Sequence, residues 1–219
     1  LASVMRLKAG NNVRLFNGED GEWLCRIEQA SRKAAAVACI EFLAAPQRPP
    51  DIDYLFAPLK SARIDYMAQK ATEMGVRRLH PVFTERTVPS RINTDRLRAN
   101  VIEAAEQCNM IAVPQLLEPQ KLTTVLADWE PGRHLIYCDE QAPVASTIAQ
   151  LGRLVPGPAA VLVGPEGGFS PNEQARLRAM SQVVPVSLGP RIMRADTAAV
   201  AALAIVQSVL GDLSGHQPD

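Results

Sequence analysis

The stretch Ala160-Val161-Leu162-Val163-Gly164-Pro165-Glu166-Gly167-Gly168-Phe169-Ser170-Pro171-Asn172-Glu173 decides the fold class. Its four apolar residues read as a buried strand, and a loop rich in Gly and Pro follows. Ser170, Pro171 and Glu173 then fall at N-cap, N1 and N3 of a helix, which is a capping box with a proline start. A second stretch repeats the order: Val186-Ser187-Leu188-Gly189-Pro190-Arg191-Ile192-Met193-Arg194-Ala195-Asp196-Thr197-Ala198. Strand–loop–helix units in succession put their loops at the carboxyl edge of a parallel sheet, where α/β proteins bind small molecules. Gly164, Gly167 and Gly168 are expected to permit positive φ and to let a ligand approach the main chain. By itself the first loop also fits a plain strand-to-helix connection.

The second loop shifts that balance. Arg191 and Arg194 flank Ile192-Met193, and the helix that follows is almost unbroken in small apolar residues from Ala198 to Val209. A helix apolar all round is expected to be buried on most sides. Arginines beside such a helix are costly unless they have a partner or a ligand.

Working outward, apolar strands alternate with helices. Ile52 to Pro58 reads as a strand, Ser61 to Met74 as a helix and Leu79 to Phe83 as a strand. Asp95 to Asn109 reads as a helix with Leu97, Val101, Ala104 and Cys108 on one stripe. His134 to Cys138 is a strand and Val144 to Leu151 a helix. This alternation predicts a parallel sheet with helices on both faces. Upstream of the proline-rich Ala45-Pro46-Gln47-Arg48-Pro49-Pro50 lie three β-like runs, Asn12 to Phe16, Glu22 to Gln29 and Ala34 to Phe42. Asn17-Gly18-Glu19-Asp20-Gly21 between the first two is a hairpin signal. These runs predict a small β-barrel over residues 1–48, an α/β domain over 49–214 and a tail over 215–219.

Composition narrows the function classes. No apolar run approaches the ~20 residues of a membrane span, and no signal peptide is visible. Cys25, Cys39, Cys108 and Cys138 are widely spaced, and none of the three histidines lies at metal-ligand spacing from a cysteine, so reduced, buried cysteines and no metal are expected. The formal net charge is zero. Between Lys60 and Arg98, however, nine basic residues (Lys60, Arg63, Lys70, Arg77, Arg78, Arg86, Arg91, Arg96, Arg98) face four acidic ones (Asp65, Glu73, Glu85, Asp95). Such a local excess is suited to a phosphate backbone.

The two loops, Val-Gly-Pro-Glu-Gly-Gly-Phe and Leu-Gly-x-Arg-Ile-x-Arg-x-Asp-Thr-Ala, together resemble the SPOUT class of RNA methyltransferases. Within it, the chain is similar to the bacterial family that methylates N3 of a uridine in 16S ribosomal RNA. Lys70-Ala71-Thr72-Glu73-Met74-Gly75-Val76, Glu103-Ala104-Ala105-Glu106-Gln107-Cys108 and Val113-Pro114 match further family segments in the family's order. Three departures stand out. Met110 occupies a position where the family more often shows arginine, Met193 replaces the usual leucine, and the chain starts at Leu1, which reads as a trimmed start.

Physics alone predicts an unknotted doubly wound sheet. The resemblance instead implies a SPOUT α/β domain whose C-terminal segment forms a trefoil knot, joined to a PUA-like barrel that docks RNA. It implies S-adenosylmethionine as cofactor, wrapped by the loops after Cys138, Val163 and Leu188. Leu162, Gly164, Glu166, Gly167, Gly168, Leu188, Gly189, Ile192, Met193 and Ala198 would hold it. Lys60, Arg63, Lys70 and Arg191 would meet RNA. Arg194 would stabilise charge spreading onto O2 and O4 of the uracil as N3 loses its proton; the alternative for Arg194 is an ion pair with Asp196, and for Arg191 one with Glu166. The expected target is uracil 1498 of 16S rRNA in the small ribosomal subunit, and the expected assembly is a cytoplasmic homodimer. A SPOUT enzyme with another RNA target and a non-catalytic RNA-binding protein are the competing readings.

Overall fold

The computed structural model describes residues 7–31, 34–46, 48–143 and 146–214, apart from the side chain of Ser61. The expected tail at 215–219 and the first residues of the helix expected from Val144 lie outside them. The chain forms two compact units, Leu1–Arg48 with Asn109–Val113, and Pro49–Cys108 with Pro114–Asp219.

In the first unit β1 (Asn12–Phe16), β2 (Glu22–Ala30) and β3 (Ala35–Ala44) form an antiparallel sheet in the order β1-β2-β3. The turn between β1 and β2 is held by Asn17, whose side-chain oxygen accepts from the N–H groups of Glu19 (2.9 Å) and Asp20 (2.8 Å). The described residues form an open three-stranded sheet; the expected barrel closure is not among them. Cys25 and Cys39 face each other across β2 and β3 with sulfurs 3.5 Å apart, both free. Cys39 and Cys108 are exposed, contrary to the expectation that the cysteines are buried.

The second unit is built on a parallel sheet. Its strands are β4 (Ile52–Phe56), β5 (Arg78–Phe83), β6 (Gln115–Leu116), β7 (Gln120–Lys121), β8 (His134–Cys138), β9 (Ala159–Val163) and β10 (Val183–Val186). Their order is β10-β8-β9-β4-β5-β6, with β7 also pairing β5. Every residue of β4 and β9 is buried, the signature of central parallel strands covered on both faces. The helices are α1 (Ser61–Glu73), α2 (Thr94–Gln107), α3 (Leu122–Ala127), α4 (Thr147–Leu151), α5 (Pro171–Ala179) and α6 (Ala195–Leu210). Short β6, β7 and α3 carry too few residues for a periodic pattern and are absent from the sequence reading.

Two details depart from expectation. Helix α2 ends at Gln107 because Asn109 takes a left-handed conformation (φ 52°). Ala105 therefore completes the buried stripe of Leu97, Val101 and Ala104, and Cys108 falls at the exposed C-cap. Helix α6 buries Ala198, Ala199, Ala202, Leu203, Val206 and Gln207, but Val200, Ala201, Ala204, Ile205, Val209 and Leu210 are only half-buried within one chain.

The amino edge of the sheet is clamped by Arg133, whose side chain is 5% exposed. It pairs with Asp51 (2.9 Å), Asp53 (3.3 Å) and Glu130 (3.0 Å) and donates to the carbonyls of Asp51 and Ala159. Burial pushes the Asp51 carboxyl up, but Arg133, Arg77 and Arg78 outweigh it and hold the group below the usual carboxylate range.

Candidate active site

Because β10, β8 and β9 are adjacent and parallel, the loops leaving them converge at one end of the sheet. They enclose a cleft of about 560 Å³. Tyr137 to Glu140 line it from the first loop, Val163 to Glu166 with Gly168 and Phe169 from the second, and Val186 to Ala195 with Ala198 from the third.

The second loop is fixed by its capping box. Ser170 Oγ accepts from Glu173 N–H (3.2 Å) and Glu173 Oε2 accepts from Ser170 N–H (2.9 Å). Glu173 is buried, and its other oxygen accepts from Glu85 N–H (2.9 Å), so one carboxylate also ties down the loop after β5. Arg86 donates to the Gly167 carbonyl (2.8 Å), a further tie between the same loops. Phe169 packs edge-on against Tyr137, with ring centroids 5.2 Å apart.

The three glycines of this loop serve different ends. Only Gly168 has positive φ (66°). A Cβ on Gly164 would lie 2.6 Å from Phe169 Cε2, so Gly164 is needed by the aromatic ring and not by a positive φ. A Cβ on Gly167 would make ordinary contact with Arg86 at 3.7 Å. In the third loop Gly189 (φ 104°) borders open space.

Of the expected cofactor residues, Gly164, Glu166, Gly168, Leu188, Gly189, Ile192, Met193 and Ala198 line the cleft. Leu162 and Gly167 do not. Leu162 lies one residue inside the strand and is fully buried in the core, and the carbonyl of Gly167 is taken by Arg86. Among residues not singled out from the sequence, Tyr137, Asp139, Glu140, Phe169 and Gln174 also line it. Strand end plus acidic pair (Cys138-Asp139-Glu140) was the available signal, but without a glycine motif it resembles any β–α connection.

Arg191 and Arg194 both line the cleft, are exposed, and have no side-chain partner among the described residues. The alternative ion pairs are not made. Glu166 is paired with Arg63 (3.1 Å), and Asp196 lies 3.9 Å from the same Arg63 and accepts from Thr197 N–H. Arg194 is the N-cap of α6 but its side chain does not cap the helix. The first N–H groups of a sixteen-residue helix and a free guanidinium therefore share one end of the cleft.

Burial pushes the Cys138 thiol up to about 12 and also raises the Tyr137 phenol, mainly by desolvation, so both stay protonated near neutrality. Asp139 is buried and held by Arg178 (2.6 Å). The expected RNA residues Lys60, Arg63 and Lys70 lie outside the cleft. Lys70 is neutralised by Glu73 (2.6 Å), and Arg63 joins α1 to the second loop through Glu166. Most of the basic strip is likewise paired: Arg77 with Asp51, Arg78 with Asp53, Arg96 with Asp65 and Arg98 with Asp95. Three of its cations keep no carboxylate partner among the described residues: Arg86, which donates to the Gly167 carbonyl, and Lys60 and Arg91, which have no side-chain partner.

Residues 46–207 match the RNA methyltransferase domain, and residues 1–38 match the RNA methyltransferase PUA domain. The chain belongs to the RNA methyltransferase family. It is 30% identical over 207 residues to ribosomal RNA small subunit methyltransferase E of Rickettsia conorii, covering 94% of this chain and 84% of the relative. Among solved structures, the chain is similar to ribosomal RNA small subunit methyltransferase E of Neisseria gonorrhoeae bound to S-adenosyl methionine. The TM-score there is 0.81 at 29% identity, over 96% of this chain and 88% of that one. A methyltransferase of Legionella pneumophila with bound S-adenosylmethionine gives the same TM-score, identity and coverage. Among the described residues there is no helix long and apolar enough to cross a membrane and no cluster of three metal-ligating side chains.

Proposed function

We propose that this chain methylates small-subunit 16S ribosomal RNA at N3 of one uridine, using S-adenosylmethionine, as a homodimer acting on ribosomal subunits in the cytoplasm. The observation that carries the reading is the three-loop cleft with its free Arg194, in a chain that matches both the methyltransferase and the PUA family models. Threading of the C-terminal segment into a knot belongs to the same proposal; insertion of β9 between the earlier strands β4 and β8 supports it.

The cleft fits the cofactor on its own terms. Its volume lies in the range of small-molecule pockets, and it combines an apolar floor (Val163, Phe169, Val186) with the carboxylates of Asp139, Glu140 and Glu166. Those carboxylates suit ribose hydroxyls and a cationic ligand, while Gly168 and Gly189 leave the main chain open to it. When bound, S-adenosylmethionine supplies an electrophilic methyl carbon with a neutral thioether as leaving group.

The residues of this chain supply position and charge. The fixed loops hold the acceptor base in line with the methyl carbon, and most of the barrier lowering comes from that alignment. As the N3 proton passes to solvent, the N3–CH₃ bond would form as the S–CH₃ bond breaks, and negative charge on O2 and O4 would be met by the Arg194 guanidinium and the N-terminus of α6. Arg191, on the same loop, orients the base. Cys138 and Tyr137, both protonated, make the dry wall of the cleft.

The test is methyl transfer to 16S rRNA in small subunits from a strain lacking this protein, read by nucleoside mass spectrometry. Wild type is expected to yield 3-methyluridine. Arg194→Ala is expected to keep cofactor affinity and lose transfer roughly 10²-fold or more. A 2′-O-methyl product would refute the substrate atom, and full activity in Arg194→Ala would refute the role of that residue.

A further inference from the structure

A second concavity of about 410 Å³ opens between the first turn of α1 and the loop leading into α2. Its floor is apolar and closed: Leu59, Ile64 and Leu97 are all buried. Val88 stands on its rim, 72% exposed. Around this apolar floor sit three cations, Lys60, Arg91 and Arg96, and one carboxylate, Asp65. Asp65 is already satisfied by Arg96 and by Asn100 Nδ2 (2.8 Å). Lys60 and Arg91 are the two exposed cations of the basic strip with no partner among the described residues, and both line this pocket.

An apolar floor with two uncompensated cations at its mouth suits a ligand that is flat and apolar on one side and anionic on the other. A nucleotide has that shape, with the base face against aliphatic side chains and the phosphate toward Lys and Arg. Position supports the same ligand. Lys60 precedes Arg63 by three residues, about 4.5 Å along a helix, and Arg63 is bonded to Glu166 of the cofactor loop. The opposite wall is tied to that loop as well, through Arg86 to the Gly167 carbonyl and through Glu85 N–H to Glu173. The segments that carry the two sides of the pocket are thus each tied to the loop that lines the cleft.

We propose that this pocket is a second nucleotide subsite, which holds the base and phosphate of a residue flanking the one presented to the cofactor cleft. The proposal rests on the reading of the protein as an RNA methyltransferase. Lys60 and Arg91 grip the phosphate, and the floor accepts an unstacked base. A single-stranded segment would then be fixed at two points, which sets its register over the cleft.

The experiment is a fluorescence-anisotropy titration of the full chain with a labelled single-stranded RNA on the order of ten nucleotides, in wild type and in Lys60→Gln/Arg91→Gln. S-adenosylmethionine titration and the thermal midpoint serve as controls, and both are expected to be unchanged because the two side chains hold no other group. The double variant is expected to bind RNA ~10-fold or more weakly. Its slope of log affinity against log salt is expected to flatten by roughly 0.7, for the one phosphate that the two cations hold. Unchanged affinity and slope would overturn the proposal. So would competition by inorganic phosphate as effective as competition by unlabelled RNA at equal phosphate, which would reveal a simple anion site. The titration needs no turnover. RNA binding through this pocket by a wild-type chain that transfers no methyl group would therefore refute the methyltransferase reading and leave the subsite standing.

Discussion

Gly164→Ala should damage this protein far more than Gly167→Ala, although both glycines belong to one loop. At Gly164 the added carbon would sit 2.6 Å from Phe169 Cε2, with two further ring atoms at 3.0 and 3.1 Å. Carbon atoms prefer separations of ~3.5–4.0 Å, so the ring has to retreat by about 1 Å. It has little room to do so. Phe169 is 4% exposed, abuts Tyr137 edge-on and precedes the Ser170 cap. Overpacking of this kind costs about 1–3 kcal/mol. For a chain of this size each kcal/mol lowers the melting midpoint by ~2–4 °C, which gives a drop of roughly 2–12 °C.

At Gly167 the nearest atom to an added carbon is 3.7 Å away and φ is not positive, so the expected change lies within about 0.5 kcal/mol. Differential scanning calorimetry measures the stabilities, and isothermal titration measures S-adenosylmethionine affinity. Phe169 lines the cleft, so Gly164→Ala should also weaken the cofactor by ~10-fold or more, about 1.4 kcal/mol. Equal losses at the two positions, or a silent Gly164→Ala, would refute the packing argument and return both glycines to a role in direct ligand approach.

Arg133→Ala should cost about 1–3 kcal/mol, because it leaves the carbonyls of Asp51 and Ala159 short of a buried donor while Asp53 keeps Arg78; a loss of under about 0.5 kcal/mol in urea unfolding would refute this. Arg133 lowers the native pKa of Asp51, so their interaction stabilises the fold above the ordinary carboxylate range and fades as pH falls through that lowered value. Arg133→Ala should accordingly show a shallower acid transition than wild type. The half-buried face of α6 should close against a second copy, burying at least ~1,000 Å²; a monomer by light scattering at micromolar concentration would refute that.

The sequence made the second unit legible where one element carried its own signal. Ser170, Pro171 and Glu173 announced the start of α5 because a capping box is a local bargain between residues three apart. The apolar run Ala160–Val163 likewise marked a strand, which the structure extends by one residue to Ala159. What stayed hidden depended on partners distant in the chain. Gly164 and Gly168 look alike in sequence, yet one answers to a ring at Phe169 and the other to its own φ. Glu166 was read as a cofactor residue, with Arg191 as its alternative partner, and its ion pair is with Arg63 from α1.

The same limit explains the basic strip. Nine cations counted along the chain suggested a broad phosphate-binding face, but charge in a sequence has no direction, and folding spends most of it on ion pairs. Arg77, Arg78, Arg96 and Arg98 each find a carboxylate, two of them on strand β4 or just before it. Except for Arg78 on the buried Asp53, these are exposed ion pairs, which add little stability. Their consequence is to silence charge where RNA contact would be unspecific. Of the cations left without a carboxylate, Arg191 and Arg194 line the cleft and Lys60 and Arg91 line the neighbouring pocket, in a protein with no net charge to attract phosphate in general. A strand that meets both places at once gains affinity over one that meets either alone. Recognition by a preformed RNA surface, rather than by net charge, follows from that arrangement.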